Sequence, residues 1–158
     1  MVEIVRKVKV GDVAADFTLP DHNGNGFALS ALKGKRVLLS FHPLAWTAVC
    51  ASQMLSLEKN YEVFESLNAA PVGLSVDPVP SKKAWADSLG IKKAPLLSDF
   101  WPHGGVAKLF DIFREKNGFS ERANILVDEK GVIALFKTYP LSQLPDIDEI
   151  IAFIRRMP

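Results

Sequence analysis

From Val37 to Phe41 the chain is apolar at every position but Ser40, and Ala70 to Asp77 repeats the pattern. Short runs that are apolar on both sides suit strands covered on both faces, the condition of a parallel sheet between layers of helices. The segments after each run agree. Met54, Leu55, Leu57, Tyr61, Phe64 and Leu67 recur at helical spacing with Glu58, Lys59, Asn60 and Glu65 between them, which predicts one long amphipathic helix. "PSKKAWADSLGI" opens on Pro80-Ser81, a cap signal, and closes at Gly90, a stop signal. Strand, helix, strand, helix with short connections implies parallel neighbours.

The flanks add antiparallel pieces. Val2 to Val10 alternates as an edge strand would, and Asp16 to Pro20 and Phe27 to Leu29 form a predicted hairpin across His22-Asn23-Gly24-Asn25-Gly26. Ser30 is placed to cap one helical turn stopped by Gly34. Leu96-Leu97 is a short apolar run, and "GGVAKLFDIF" predicts a short helix after the turn at Pro102 to Gly105. "RANILVD" and "VIALFKTY" read as a hairpin turning at Asp128-Glu129-Lys130-Gly131, and a last amphipathic helix runs from about Asp146 to Met157. The expectation is an α/β fold with a mixed central sheet flanked by helices and an N-terminal β-hairpin extension, one domain over residues 1–158.

Charge narrows the partners. The 19 Lys and Arg nearly balance the 18 Asp and Glu, with no long block of one sign, so neither nucleic acid nor an acidic membrane is an expected partner. No apolar stretch approaches the roughly 20 residues that span a bilayer. The N-terminal "MVEIVRKVKV" lacks the pattern of a signal peptide, and one unpaired cysteine suits a reducing compartment; the expected location is the cytoplasm.

That cysteine, Cys50, ends the stretch "HPLAWTAVC", which directly follows the Val37 to Phe41 run. Ligands of open α/β sheets gather beyond the carboxyl ends of strands. A helix starting near Thr47 puts Cys50 in its first turn, where free backbone N–H groups and the helix dipole favour an anion, here thiolate over thiol. The helix end alone is too weak to ionise a thiol fully at neutral pH. A nearby cation is required, and an arginine is the best candidate because it stays charged and presents a planar fork of donors.

Pro43, Thr47 and Cys50 form P-x-x-x-T-x-x-C, and this resembles the active-site signature of the peroxiredoxins, the alkyl hydroperoxide reductase/thiol-specific antioxidant family of thiol peroxidases. The resemblance covers almost the whole chain. "VGDVAADFTLPDHNG" is similar to the family's N-terminal segment, "SVDPVPSKKAWADSLGIKKAPLLSDFWPHGGVAKLF" to its middle, and "GFSERANILVDEKGVIA" to the segment that supplies its active-site arginine, matched by Arg122. "LLSDFWPHG" resembles the branch of actinobacterial one-cysteine enzymes.

The resemblance implies a thioredoxin-like fold and a residue-by-residue chemistry. Cys50 attacks a hydroperoxide and becomes a sulfenic acid; Arg122 stabilises the thiolate and binds peroxide oxygen; the Thr47 hydroxyl aligns the peroxide; Pro43 shields the sulfur from water. It also implies no cofactor, an external thiol as reductant (a low-molecular-weight thiol, thioredoxin or a glutaredoxin), and a homodimer or larger homo-oligomer. Two positions depart from the pattern: Ala48 stands where many members have proline, and Gln53 where many have the glutamate that holds the arginine. Gln53 can accept from Arg122 but lacks charge, so a looser arginine is expected. His42 is a supporting residue expected to pack beside the pocket.

Each of these residues alone has a plainer meaning, since a lone cysteine is usually a buried hydrophobe and a lone arginine a surface charge. Their joint spacing reverses that weighting. A disulfide reductase would need a second cysteine at position 53, which is Gln; a non-catalytic redox-fold binding module or chaperone is the remaining alternative. His22 and His103 are expected to be exposed in turns, Trp101 to lie at a subunit interface, and the three scattered His and single Cys have no metal-ligand spacing.

Overall fold

The computed structural model describes residues 7–158. Of the expected edge strand at Val2 to Val10, residues 2–6 lie outside the described part and residues 7–10 form no strand. The predicted hairpin is present as β1 (Thr18–Pro20) and β2 (Gly26–Ala28), paired antiparallel. A 3-10 turn follows at Leu29–Leu32. Ser30 is inside that turn and caps nothing; instead its backbone N–H donates to Asp16 Oδ1 at 2.9 Å, which ties the turn to the start of the hairpin.

The central sheet has the order β5-β4-β3-β8-β9. Its members are β3 (Arg36–Phe41), β4 (Ala69–Ser75), β5 (Leu96–Ser98), β8 (Arg122–Val127) and β9 (Ile133–Tyr139). β3 runs parallel to β4, and β4 to β5, as the doubly apolar runs require, whereas β8 and β9 are antiparallel to their neighbours. A small hairpin that the sequence pattern did not reveal, β6 (Phe113–Arg114) with β7 (Phe119–Ser120), precedes β8.

Alternation along the strands divides the core into two layers. Val37, Leu39 and Phe41 pack with Phe17 and Leu19 of the hairpin and with Phe110. Leu38 packs on the opposite face with Met54, Leu57, Phe64, Trp85 and Ile154. The second layer therefore carries α1 (Ala48–Lys59), α2 (Tyr61–Ser66), α3 (Val79–Leu89) and α5 (Ile147–Arg156); α4 (Gly105–Leu109) ends next to Phe110 on the first.

The long helix expected after Cys50 is two helices. Asn60 interrupts it with φ −102° and ψ 11°; its backbone N–H still closes the helical bond to the Ser56 carbonyl at 3.2 Å, and its side-chain amide donates to the same oxygen at 2.8 Å. Pro80-Ser81 does not cap α3: the helix begins earlier, after Pro78, with Pro80 inside its first turn, where a missing N–H costs nothing. Gly90 stops it as predicted, at φ 72°. Asp146 caps α5 by accepting from the Asp148 N–H at 3.0 Å.

Gly73 on β4 sets the height of α1 above the sheet. A methyl group there would stand 2.2 Å from the Met54 sulfur and 3.0 Å from Leu96 Cδ2, both fully buried, so α1 lies closer to β4 than any residue with a side chain would permit.

Candidate active site

α1 begins where the chain leaves β3. Thr47 has extended dihedrals, φ −111° and ψ 151°, and Ala48 is the first helical residue. The first helical hydrogen bond is Ala51 N–H to the Thr47 carbonyl, so the N–H groups of Ala48, Val49 and Cys50 have no partner within the helix. Cys50 is thus in the first turn, as expected, and it is buried at 1% exposure.

The loop between β3 and α1 is held under strain. Trp46 adopts φ 69°, a left-handed conformation costing a non-glycine residue about 1–2 kcal/mol. Two bonds hold it there: the Ala45 N–H donates to Asp77 Oδ2 at 2.8 Å, and Trp46 Nε1 donates to Ser81 Oγ at 3.0 Å. Both anchors come from the β4–α3 segment, which thereby fixes the entry into α1.

Arg122 is the first residue of β8, and the antiparallel register pairs Ala123 with Phe41, the last residue of β3. The strand start therefore lies beside the strand end that leads to Cys50. Arg122 is 3% exposed, and its Nη1 donates to Cys50 Sγ at 3.4 Å and to Gln53 Oε1 at 2.7 Å. Nε and Nη2 both donate to the Leu141 carbonyl, at 3.1 and 2.7 Å. Two carbonyl oxygens, one from a side chain and one from the backbone, hold the fork, and among the described residues no carboxylate is within ion-pair distance of it.

Gln53 is buried and held from below. Its Nε2 donates to Ser40 Oγ at 2.7 Å and to the Phe41 carbonyl at 3.1 Å. Ser40, the one polar residue in the run from Val37, is there for this bond. Thr47 is exposed, and its hydroxyl donates to the Leu44 carbonyl at 2.8 Å while its oxygen remains free to accept. Pro43 is buried beside Ala45.

His42 is fully buried at the end of β3. Its Nε2 is 3.2 Å from Lys82 Nζ and its ring centroid is 5.3 Å from that of Trp85, so it packs behind the loop rather than at the sulfur. Burial holds its pKa well below the usual imidazole value, and the positive charges of Lys82 and Arg122 act in the same direction; it is neutral. Sequence reasoning missed Lys82, Ser40 and the Leu141 carbonyl. A signal for Lys82 did exist: it stands three and four residues before Trp85 and Ala86, at the head of the buried stripe of α3.

The other two histidines divide. His103 is exposed, as expected. His22 is buried instead, with Nδ1 accepting from the Leu96 N–H at 3.2 Å, so it pins the hairpin loop to β5. Trp46, Phe100 and Trp101 are exposed, Trp101 at 80%, at the end of the sheet where β3 and β5 finish. No group of three or more His, Cys, Asp or Glu among the described residues could hold a metal ion.

The arrangement is a buried sulfur at a helix start, one guanidinium in contact with it, and acceptors that keep that guanidinium in place. Known proteins agree. Residues 10–136 match the AhpC/TSA family. The chain is 41% identical over 127 residues to alkyl hydroperoxide reductase E of Mycobacterium tuberculosis, which covers 80% of this chain and 82% of that one. The reduced 2-Cys peroxiredoxin of Plasmodium vivax superposes with a TM-score of 0.85 at 29% identity, over 92% of this chain and 80% of its own. Peroxidoxin BcpB of Mycobacterium tuberculosis does so with a TM-score of 0.83 at 28% identity, over 95% and 98%. With the fold, the thiol site and these likenesses in agreement, the chain belongs to the AhpC/TSA family and is a thioredoxin-like peroxiredoxin, a thiol-dependent peroxidase.

Proposed function

We propose that Cys50 is the peroxide-reducing nucleophile and Arg122 its electrostatic partner. The observation that carries this is the 3.4 Å contact between Arg122 Nη1 and Cys50 Sγ at the first turn of α1. The thiolate attacks the nearer oxygen of a hydroperoxide in line with the O–O bond. A sulfur–oxygen bond forms, the O–O bond breaks, and the leaving oxygen departs as water or alcohol after taking a proton. Arg122 and the free N–H groups of the first turn face the negative charge as it moves from sulfur to the leaving oxygen.

Thr47 contributes a free lone pair to the peroxide, because its own hydrogen is committed to the Leu44 carbonyl. Pro43, with no N–H to offer, lines the dry side of the sulfur. Gln53 positions Arg122, and His42 supports the loop from behind. No second cysteine exists in the chain, so the sulfenic acid is resolved by an external thiol. One thiol forms a mixed disulfide and releases water; a second thiol displaces Cys50 and leaves as the oxidised disulfide. Low-molecular-weight thiols, thioredoxin and glutaredoxin all fit this chemistry. The exposed aromatic surface of Trp46, Phe100 and Trp101 supports a homodimer, and the single cysteine of the sequence a cytoplasmic location.

The test is stopped-flow mixing of reduced protein with one equivalent of hydrogen peroxide, followed by Trp fluorescence and intact mass. A fast phase that adds one oxygen and is absent in Cys50→Ser is expected. Oxidation no faster than that of free cysteine would overturn the assignment.

A further inference from the structure

Asp77 lies just after β4, at the entrance to α3, yet it does not cap that helix, which starts after Pro78 with no side-chain cap bond. Its Oδ2 accepts from Ser75 Oγ at 2.6 Å and from the Ala45 N–H at 2.8 Å, and its backbone carbonyl accepts from Ser98 Oγ at 2.7 Å. Behind it is the fully buried Lys82, whose Nζ donates to Ser75 Oγ at 2.6 Å and lies 3.2 Å from His42 Nε2. An ammonium has no acceptor, so Ser75 takes its hydrogen from Lys82 and gives its own to Asp77. The hydroxyl thus bridges a buried ammonium to a carboxylate and fixes where the carboxylate points. Ser75 and Ser98 are buried as well. Polar groups gathered in this way lose water, and apolar side chains would fill the same space without that cost.

What Asp77 grips is a single peptide unit of the loop between β3 and α1. The Ala45 N–H and the Leu44 carbonyl belong to the same planar amide and move together. On its other side that amide accepts from the Thr47 hydroxyl at 2.8 Å. The left-handed turn at Trp46, φ 69°, folds the chain back so that the hydroxyl reaches the carbonyl, and Trp46 Nε1 is tied to Ser81 Oγ of α3 at 3.0 Å. The bonds form one unbroken series: Lys82 to Ser75, Ser75 to Asp77, Asp77 to the Ala45 N–H, and the Leu44 carbonyl to Thr47. An amide whose N–H donates to an anion carries more negative charge on its oxygen, so the carboxylate strengthens the bond that holds Thr47.

We propose that Asp77 is a positioning residue for Thr47: aimed by Ser75 and Lys82, it acts across the Leu44–Ala45 peptide to keep the Thr47 hydrogen on the Leu44 carbonyl and the Thr47 lone pair turned to the peroxide at Cys50. This inference rests on the reading of Cys50 as the peroxide-reducing nucleophile and of Thr47 as the residue that aligns its substrate. Without the carboxylate the amide is free to turn. The Thr47 hydroxyl then rotates and offers the peroxide its hydrogen as readily as its lone pair. Ser75 and Lys82 act on the reaction only through Asp77, and Asp77 only through Thr47.

The rate of Cys50 oxidation by hydrogen peroxide in wild type, Asp77→Ala, Thr47→Val and the double variant gives the first test. Asp77→Ala is expected to slow the wild type about tenfold but Thr47→Val by less than about twofold, because the residue that Asp77 positions is already gone. Equal slowing in both backgrounds means that Asp77 only holds the fold together and overturns the proposal, as does a Thr47→Val rate equal to wild type. A second test needs neither turnover nor a change at Asp77. In Cys50→Ser protein, adding Thr47→Val is expected to make the Ala45 amide hydrogen exchange about threefold faster or more, because both bonds hold one peptide unit, while strand amides such as that of Leu39 keep their rates. An Ala45 amide that exchanges as before sinks the proposal even if Asp77→Ala fails to fold. Absence of sulfenic acid in the wild type would instead overturn the role of Cys50, and the amide would still decide whether Thr47 and Asp77 are linked through the loop.

Discussion

Gln53→Glu introduces the residue that the family pattern favours at this place, and in this chain it should cost activity and stability together. The amide does two opposite things: Oε1 accepts from Arg122 at 2.7 Å while Nε2 donates to Ser40 Oγ at 2.7 Å and the Phe41 carbonyl at 3.1 Å. A carboxylate serves Arg122 but has no hydrogen for the Phe41 carbonyl, and losing that bond costs about 0.5–1.5 kcal/mol. The new charge also competes for the guanidinium. The bonds of 3.4 and 2.7 Å that share Arg122 Nη1 place the carboxylate oxygen within about 6 Å of the sulfur. At an effective dielectric of about 20 the repulsion between carboxylate and thiolate is about 3 kcal/mol at that distance. Half of this surviving solvent and side-chain relaxation gives about a tenfold loss of rate. The assay is the second-order rate constant of Cys50 oxidation by hydrogen peroxide at pH 6, with urea unfolding alongside. A rate equal to or above wild type would refute the reasoning, because it would mean that Arg122 can serve both anions undiminished.

Further outcomes follow from other contacts. Gly73→Ala should destabilise the fold by about 1–3 kcal/mol in urea melts and slow peroxide oxidation as well, since the added methyl meets Met54 and lifts the helix that carries Cys50. Asp146→Ala should cost about 1 kcal/mol through loss of the α5 cap, with the peroxide rate unchanged. Lys82 binds its proton less tightly in the folded chain, about 7 against 10.5, so between those values the unfolded chain holds the extra proton and stability rises with pH. The rise attributable to Lys82 is at most about 5 kcal/mol by linkage, and comparison of urea melts at pH 7 and 9.5 should show it in wild type and not in Lys82→Met.

The central strands were legible because burial on both faces forces an unbroken apolar run, and β3, β4 and β8 all have one. Cys50 was legible as the lone thiol a few residues past a central strand, and Arg122 through the resemblance that matches it to the family's arginine. The break at Asn60 was not, since hydrophobic spacing continues through it to Phe64 and the interruption is a change of backbone dihedrals at one residue. His22 was misjudged for a related reason: turn residues around it suggest exposure, whereas Leu96 comes from far along the chain to bury it. Lys82 was hidden by its neighbour. Two adjacent lysines look like a solvated face, but only Lys83 is exposed, paired with Asp87.

The position of Arg122 at the start of β8 also sets an order in time. Cys50 and Arg122 are 72 residues apart in the chain. At about 5–20 residues per second a ribosome needs roughly 4–14 s to pass from one to the other. Throughout that interval the cysteine has left the synthetic machinery with no guanidinium beside it, and α1 has no finished sheet to rest on. On the proposed role of Arg122, the thiol is armed only when β8 pairs with β3, so the strand that extends the sheet also completes the site.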